Sequence, residues 1–112
     1  MQNNTNLRLE TERLILRDFV AEDWRDVHEY GSDPEVVKYQ PFGPNTEEET
    51  KTHISRAIAR QAESPRIFYD FAIVRKSDNK LVGECSINIT NAGDKEAMLG
   101  YLLNRKEWNQ AI

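Results

Sequence analysis

Between Phe68 and Ile89, two runs of strand-forming residues flank the polar reversal Ser77-Asp78-Asn79-Lys80. Phe68 to Arg75 is dense in aromatic and β-branched residues, with Tyr69, Phe71 and Ile73 on one face. After the reversal, Leu81, Gly83, Cys85, Ile87 and Ile89 alternate with Val82, Glu84, Ser86 and Asn88. The period of two and the turn residues between the runs predict a β-hairpin. Asn91 to Lys95 is a second turn, and Glu96 to Leu103 a further strand, so the carboxyl half reads as a three-strand meander. At the amino end Leu7, Leu9, Leu14 and Leu16 alternate with Arg8, Glu10, Arg13 and Arg17, predicting an opening strand with a kink near Thr11.

The stretch between changes period. Val20, Trp24 and Val27 are spaced for one helix face, with Glu22 and Asp23 at its start and Gly31 at its end. Asp33-Pro34 supplies a capping carboxylate and a proline suited to a first helical position, predicting a brief second helix through Glu35 to Lys38 that ends at Pro41-Phe42-Gly43-Pro44. Thr46 with Glu49 is a capping box, and Thr50, Ile54, Ala57, Ile58 and Gln61 trace the apolar stripe of a third helix over Glu47 to Ala62. The order β-α-α-α-β-β-β predicts an α+β fold: a mostly antiparallel sheet with helices on its faces.

Composition narrows the partners. Fifteen Lys and Arg against nineteen Asp and Glu give a net charge of −4, which offers no bulk attraction to phosphate backbones, so nucleic acid is not the expected partner. No run approaches the roughly 20 apolar residues that a membrane helix needs. The single Cys85 has no internal disulfide partner, and no apolar leader is apparent, so a cytoplasmic setting is expected. The chain of 112 residues reads as one domain over 7–112, with a flexible polar start at 1–6. His28 and His53 fall on different helices, so no metal site is expected, and both read as solvent-facing. Trp24 reads as core, and Cys85 as an inert buried thiol.

Four ordered motifs then carry a resemblance. Thr11-Glu12-Arg13-Leu14-Ile15-Leu16-Arg17, Asp33-Pro34-Glu35-Val36, Leu81-Val82-Gly83-Glu84, and Gly100-Tyr101-Leu102-Leu103 followed by Glu107-Trp108 resemble successive segments of the GCN5-related N-acetyltransferase (GNAT) family. The likeness is to its branch that acetylates the N-terminal amines of ribosomal proteins. It implies a GNAT-like sheet, and activity toward a small-molecule or protein N-terminal amine with acetyl-CoA as co-substrate. It also implies that the chain stops before the cofactor helix and the fifth strand, as an incomplete domain.

By resemblance, main-chain groups of Leu102, Leu103 and Asn104 would contact the pantetheine and acetyl carbonyl. Asn109, Gln110 and Ala111 stand where the family holds the pyrophosphate at a helix start. Leu102 and Leu103 read equally as ordinary strand residues, since the functional groups would be main-chain. Glu84, on the polar face of its strand, reads either as a solvated glutamate or as the carboxylate that accepts the amine proton through water. Tyr101 reads as packing or as a group that steadies the thiolate or the substrate. Tyr39 and Phe42, in the Pro-Gly loop, would wall the acceptor site. The alternative expectation is a non-catalytic fold fragment that self-associates through its open sheet edge.

Overall fold

Strands β1 (Arg8–Glu10), β2 (Leu14–Asp18), β3 (Phe68–Arg75), β4 (Lys80–Asn91) and β5 (Glu96–Leu103) lie side by side in chain order, each antiparallel to its neighbour. The computed structural model describes residues 8–91 and 96–108. The α+β antiparallel sheet expected from the sequence is present. The opening segment is not one kinked strand. The Thr11 hydroxyl accepts from the Leu14 and Arg13 amides at 3.0 and 3.3 Å, and this local turn folds β1 back on β2 so that Leu9 pairs with Leu16.

Helices α1 (Trp24–Gly31) and α2 (Glu47–Arg60) occupy the long connection from β2 to β3. The start of α1 is fastened to β2 through Asp23. Its carboxylate accepts both Arg17 guanidinium nitrogens at 2.8 and 2.9 Å, and the Val20 amide at 2.8 Å. The bidentate geometry gives the Arg17 of the opening motif a structural task. The second helix expected at Glu35 to Lys38 is a single turn. The Val36 and Val37 amides both donate to the Asp33 carbonyl, and the chain then runs irregularly to Thr46. Burial of Val36 and Val37 holds this stretch in place without helical repetition.

At the start of α2 the capping box forms as read: Glu49 N–H donates to Thr46 Oγ1 at 3.1 Å, and Thr46 N–H to Glu49 Oε1 at 2.9 Å. Thr46→Ala should therefore cost about 1 kcal/mol, measurable as a lowered urea midpoint with an unchanged slope.

Both helices pack on one face of the sheet. Val27 and Tyr30 of α1 and Ile54 and Ala57 of α2 meet Ala72, Val74 and Leu81 in one buried cluster, with Ile15 and Leu102 at its margin. Burying each of the Val, Ile and Leu side chains among them contributes about 1.5–3 kcal/mol, which outweighs the tenths of a kilocalorie of intrinsic helix preference. The register of β3 on β4 contains one extra residue: Val74 pairs with Leu81, Ile73 pairs with Gly83, and Val82 is the bulge. Leu81 and Glu84 therefore share the helix-covered side, while Gly83, Cys85 and Ile87 point to the other. The apolar stripe from Leu81 to Ile89 does not lie on one face, and its polar counterpart lies partly under the helices.

Candidate active site

Glu84 is not a solvated strand residue. Pairing with Ala72 and Leu102 sets it on the helix side of the sheet, where it is 9% exposed. One carboxylate oxygen accepts the Tyr30 hydroxyl at 2.7 Å, and the other meets His53 Nε2 at 3.1 Å. A buried carboxylate persists only when such partners replace its lost water. Tyr30 is itself buried within α1, and burial, then the adjacent Glu84 charge, push its phenol well above the usual 10, so it remains a donor. His53 lies on the inward side of α2 with its ring edge-on to Phe19. Its hydrogen bond to Glu84 raises the imidazole above 6.5 despite partial burial; Asp70 reinforces this and Arg60 opposes it.

Two clefts adjoin this group. The smaller, about 280 Å³, is lined by Glu84, Ser86, Gln40, Phe42, Gly100, Tyr101 and Leu102 among others. The larger, about 490 Å³, runs along α2 past Glu48, Glu49, His53, Arg56 and Arg60. Phe42 lines both, so Glu84 and His53 open onto neighbouring spaces that share one aromatic wall. Phe42, Glu84, Tyr101 and Leu102 thus come together from segments far apart in sequence. Tyr39 lines neither cleft; it is 88% exposed, with the Lys38 ammonium 5.5 Å from its ring centre. Tyr101 pairs with Cys85, so its side chain leaves the sheet on the face opposite Glu84 and reaches the cleft only at the strand edge.

The main chain of β5 separates the three residues expected to hold a thioester. Asn104 N–H donates to Val82 C=O at 2.8 Å, which fixes that pair as hydrogen-bonded. The alternation of an antiparallel ladder then turns the Leu102 groups toward β4 and the Tyr101 and Leu103 groups outward. The indole of Trp108 donates to the Leu103 carbonyl at 3.2 Å, in keeping with that outward direction. Outward-facing polar groups therefore remain at Tyr101 and at the Leu103 amide. Among the described residues β5 has a strand on one side only. Asn104 is occupied: its side chain accepts from the Lys106 amide and donates to Glu29 at 3.0 Å, and its amide is spent on β4. The Asn104 main-chain amide, expected at the cofactor, is thus hydrogen-bonded within the sheet.

Asn109, Gln110 and Ala111, and the flexible start at 1–6, lie outside the described residues. His28 is partnered rather than free in solvent, with Nδ1 2.8 Å from Thr50 Oγ1. Cys85 is half-buried on the helix-free face. Burial first, then Asp70 and Glu84, raise its thiol above 9.0, which keeps it protonated at neutral pH. Among the described residues, no group of three or more His, Cys, Asp or Glu is placed for a metal ion. None of the described helices is long and apolar enough to cross a membrane.

Tyr30 and His53 are the partners of Glu84 that sequence reading missed. A signal existed for His53: Thr50, His53, Ile54 and Ala57 follow the i, i+3, i+4, i+7 spacing of an inward stripe. Tyr30 similarly follows Val27 by three residues. Neither spacing shows that Glu84, more than thirty positions further on, lies between them.

Among the described residues, then, two helices cover one face of an antiparallel sheet whose last strand is β5, and a cleft lined by Glu84 opens beside that strand. The chain belongs to the acetyltransferase (GNAT) domain family, which matches residues 13–112. It is 29% identical over 104 residues to YnaD of Bacillus subtilis (strain 168), an uncharacterized N-acetyltransferase, with 93% of this chain and 57% of the relative covered. A GNAT-family acetyltransferase structure from Bacillus anthracis superposes with a TM-score of 0.78 at 30% identity, over 94% of this chain and 58% of that one. The ribosomal L7/L12 alpha-N-protein acetyltransferase RimL, solved in complex with Coenzyme A, shares the fold with a TM-score of 0.73 at 19% identity, over 93% of this chain and 59% of RimL. The chain thus spans less than two thirds of the length of these relatives.

Proposed function

We propose that the chain transfers an acetyl group from acetyl-CoA to a primary amine by direct attack, with Glu84 as the first acceptor of the amine proton. The observation that carries this is the buried Glu84 carboxylate, held by Tyr30 and His53 and opening on a cleft beside the outward main-chain groups of β5. A thioester supplies an activated acyl group with a good leaving thiol, so no covalent enzyme intermediate is needed. The chain's part is to hold the amine close, receive its proton and present donors. The Leu103 amide and the Tyr101 main chain suit the amide-bearing pantetheine arm, which can pair with a strand edge as another strand would. Phe42 and Gln40 wall the acceptor side. Peptide N-termini and small polyamines are the amines to try first, because a protein N-terminus is what RimL is named for.

Calorimetry with acetyl-CoA, together with free-thiol release on adding an amine, tests the proposal. Binding, and thiol released in step with acetylated amine, are expected; absence of both overturns it. A second reading, a non-catalytic copy that pairs through β5, draws on the exposure of Met98 (65%), Leu99 (76%) and Tyr101 (74%) at that edge. A dimer by light scattering with no acetyl-CoA binding would favour it.

A further inference from the structure

We propose that His53 is a positioning residue for Glu84 and the outlet through which the proton taken from the acceptor amine reaches solvent. The inference rests on the acetyl-transfer reading and extends it to a step that reading leaves open. A primary amine has an ordinary pKa of about 8 at a peptide N-terminus and about 10 on an alkyl chain, so at neutral pH it arrives as an ammonium ion. Acetylation then releases one net proton: the ammonium and the acetyl thioester yield the amide, the free thiol and a proton. That proton must leave a carboxylate that is 9% exposed.

While the acceptor fills the smaller cleft that Glu84 lines, the geometry offers one side-chain path among the described residues. Glu84 Oε1 faces the Tyr30 hydroxyl at 2.7 Å, and that phenol is buried and held protonated, so it is a dead end for proton release. Glu84 Oε2 faces His53 Nε2 at 3.1 Å, and His53 lines the larger cleft. The imidazole is the side chain suited to this, because it can take a proton on one nitrogen and release one from the other near neutral pH. In the step proposed, an ammonium N–H bond breaks, its electron pair stays on nitrogen, and the proton passes to the Glu84 carboxylate. From there it moves to the bare Nε2 of a neutral imidazole that carries its proton on Nδ1, the Nδ1 proton leaves into the cleft, and the ring returns to the Nδ1–H form by proton exchange with solvent before the next turnover. The neutral amine then attacks the thioester carbonyl.

The charged groups that act most on His53 are Glu84 on β4, Asp70 on β3 and Arg60 on α2, and Glu49 and Arg56 of α2 line the same cleft. Arg60 is 3.6 Å from Asp70, so those two largely offset each other and leave Glu84 as the partner that governs the imidazole. The T-shaped contact with Phe19 fixes the ring plane toward Glu84.

His53→Gln keeps a hydrogen-bonding group of similar reach to Glu84 but cannot carry a proton, and His53→Ala leaves a gap open to the cleft. We expect both variants to bind acetyl-CoA as the parent does. Their kcat should fall at least tenfold, with loss of the ionisation above pH 6.5 in the kcat profile. Added imidazole should restore part of the rate in His53→Ala only. Variants that turn over at the parental rate with the parental pH profile would overturn the proposal, as would failure of imidazole to rescue a folded His53→Ala. The ring resonances of His53, followed by NMR through a pH titration in the parent and in Glu84→Gln, test the pairing without turnover. The midpoint should drop in the variant, and an unchanged midpoint overturns the coupling. If the parent acetylates no amine at all, acetyl transfer fails as the function, and the NMR titration still decides whether the two residues act as a pair.

Discussion

Replacing Gly83 with alanine should destabilise the chain by about 1–3 kcal/mol, the range for forcing extra atoms into a packed site. It should also weaken acetyl-CoA binding. A Cβ built at Gly83 would collide with the Leu102 carbonyl oxygen, lie 2.7 Å from Leu103 Cδ2 and stand 3.2 Å from Leu103 Cα. Two of those atoms are main chain and cannot rotate away, so β5 itself must shift. The strand that would move carries the outward Tyr101 and Leu103 groups, and Leu102 opposite Glu84. Stability and ligand binding should therefore fall together. Gly100→Ala is the matched control on β5, because its Cβ would meet only the Ser86 hydroxyl at 3.8 Å, an ordinary contact. Urea melts of both variants decide the matter. If Gly83→Ala has the parental midpoint while Gly100→Ala does not, the close approach of the two strands is misassigned.

The contrast between these two glycines also shows how far the sequence could be read. Local signals survived the comparison with the structure: the Thr46–Glu49 capping box, the turn at Ser77 to Lys80 and the strand at Phe68 to Arg75 depend on neighbours a few residues away. The antiparallel sheet formed as expected, but several readings that required a particular distant partner did not hold. The Asp33-Pro34 start is a sound local cap, yet Val36 and Val37 gain more by entering the core than by continuing a helix. The alternation in β4 was read correctly as period two, but which face is wet depends on where α1 and α2 dock, and the bulge at Val82 moves Leu81 to the side of Glu84. One extra residue thus turned a nominally solvated glutamate into a buried one. The family motifs place Glu84 and Tyr101 beside one another across β4 and β5, because strand order fixes neighbours that periodicity alone cannot. They did not reveal that Asn104 is consumed by Glu29, Lys106 and Val82, nor that His53 completes the carboxylate's shell.

Glu84→Ala should abolish measurable transfer and also lower stability, and the two losses can be separated. On the activity side, removing a positioned proton acceptor costs typically 10²–10⁴-fold in rate. On the stability side, the hydroxyl of buried Tyr30 loses its acceptor, and an orphaned buried donor costs about 1–3 kcal/mol. Adding Tyr30→Phe removes the orphan, so the double variant should regain much of the stability and none of the rate. A double variant no more stable than Glu84→Ala would show that the hydroxyl finds another acceptor. The pH dependence gives an independent check with a defined sign. The folded-state pKa of His53 is raised above 6.5, so its pairing with Glu84 contributes stability that is fully present below about 6.5 and is lost as pH rises through the higher folded value. The melting difference between the parent and His53→Gln should therefore be larger at pH 6 than at pH 9. Asp70 is also raised from 3.8, chiefly by burial, so the stability linked to its protonation is present below 3.8 and is lost as pH rises. A parent-to-variant difference that grows toward alkaline pH would reverse the sign and remove the ionic pairing of His53 with Glu84 on which the proton outlet depends.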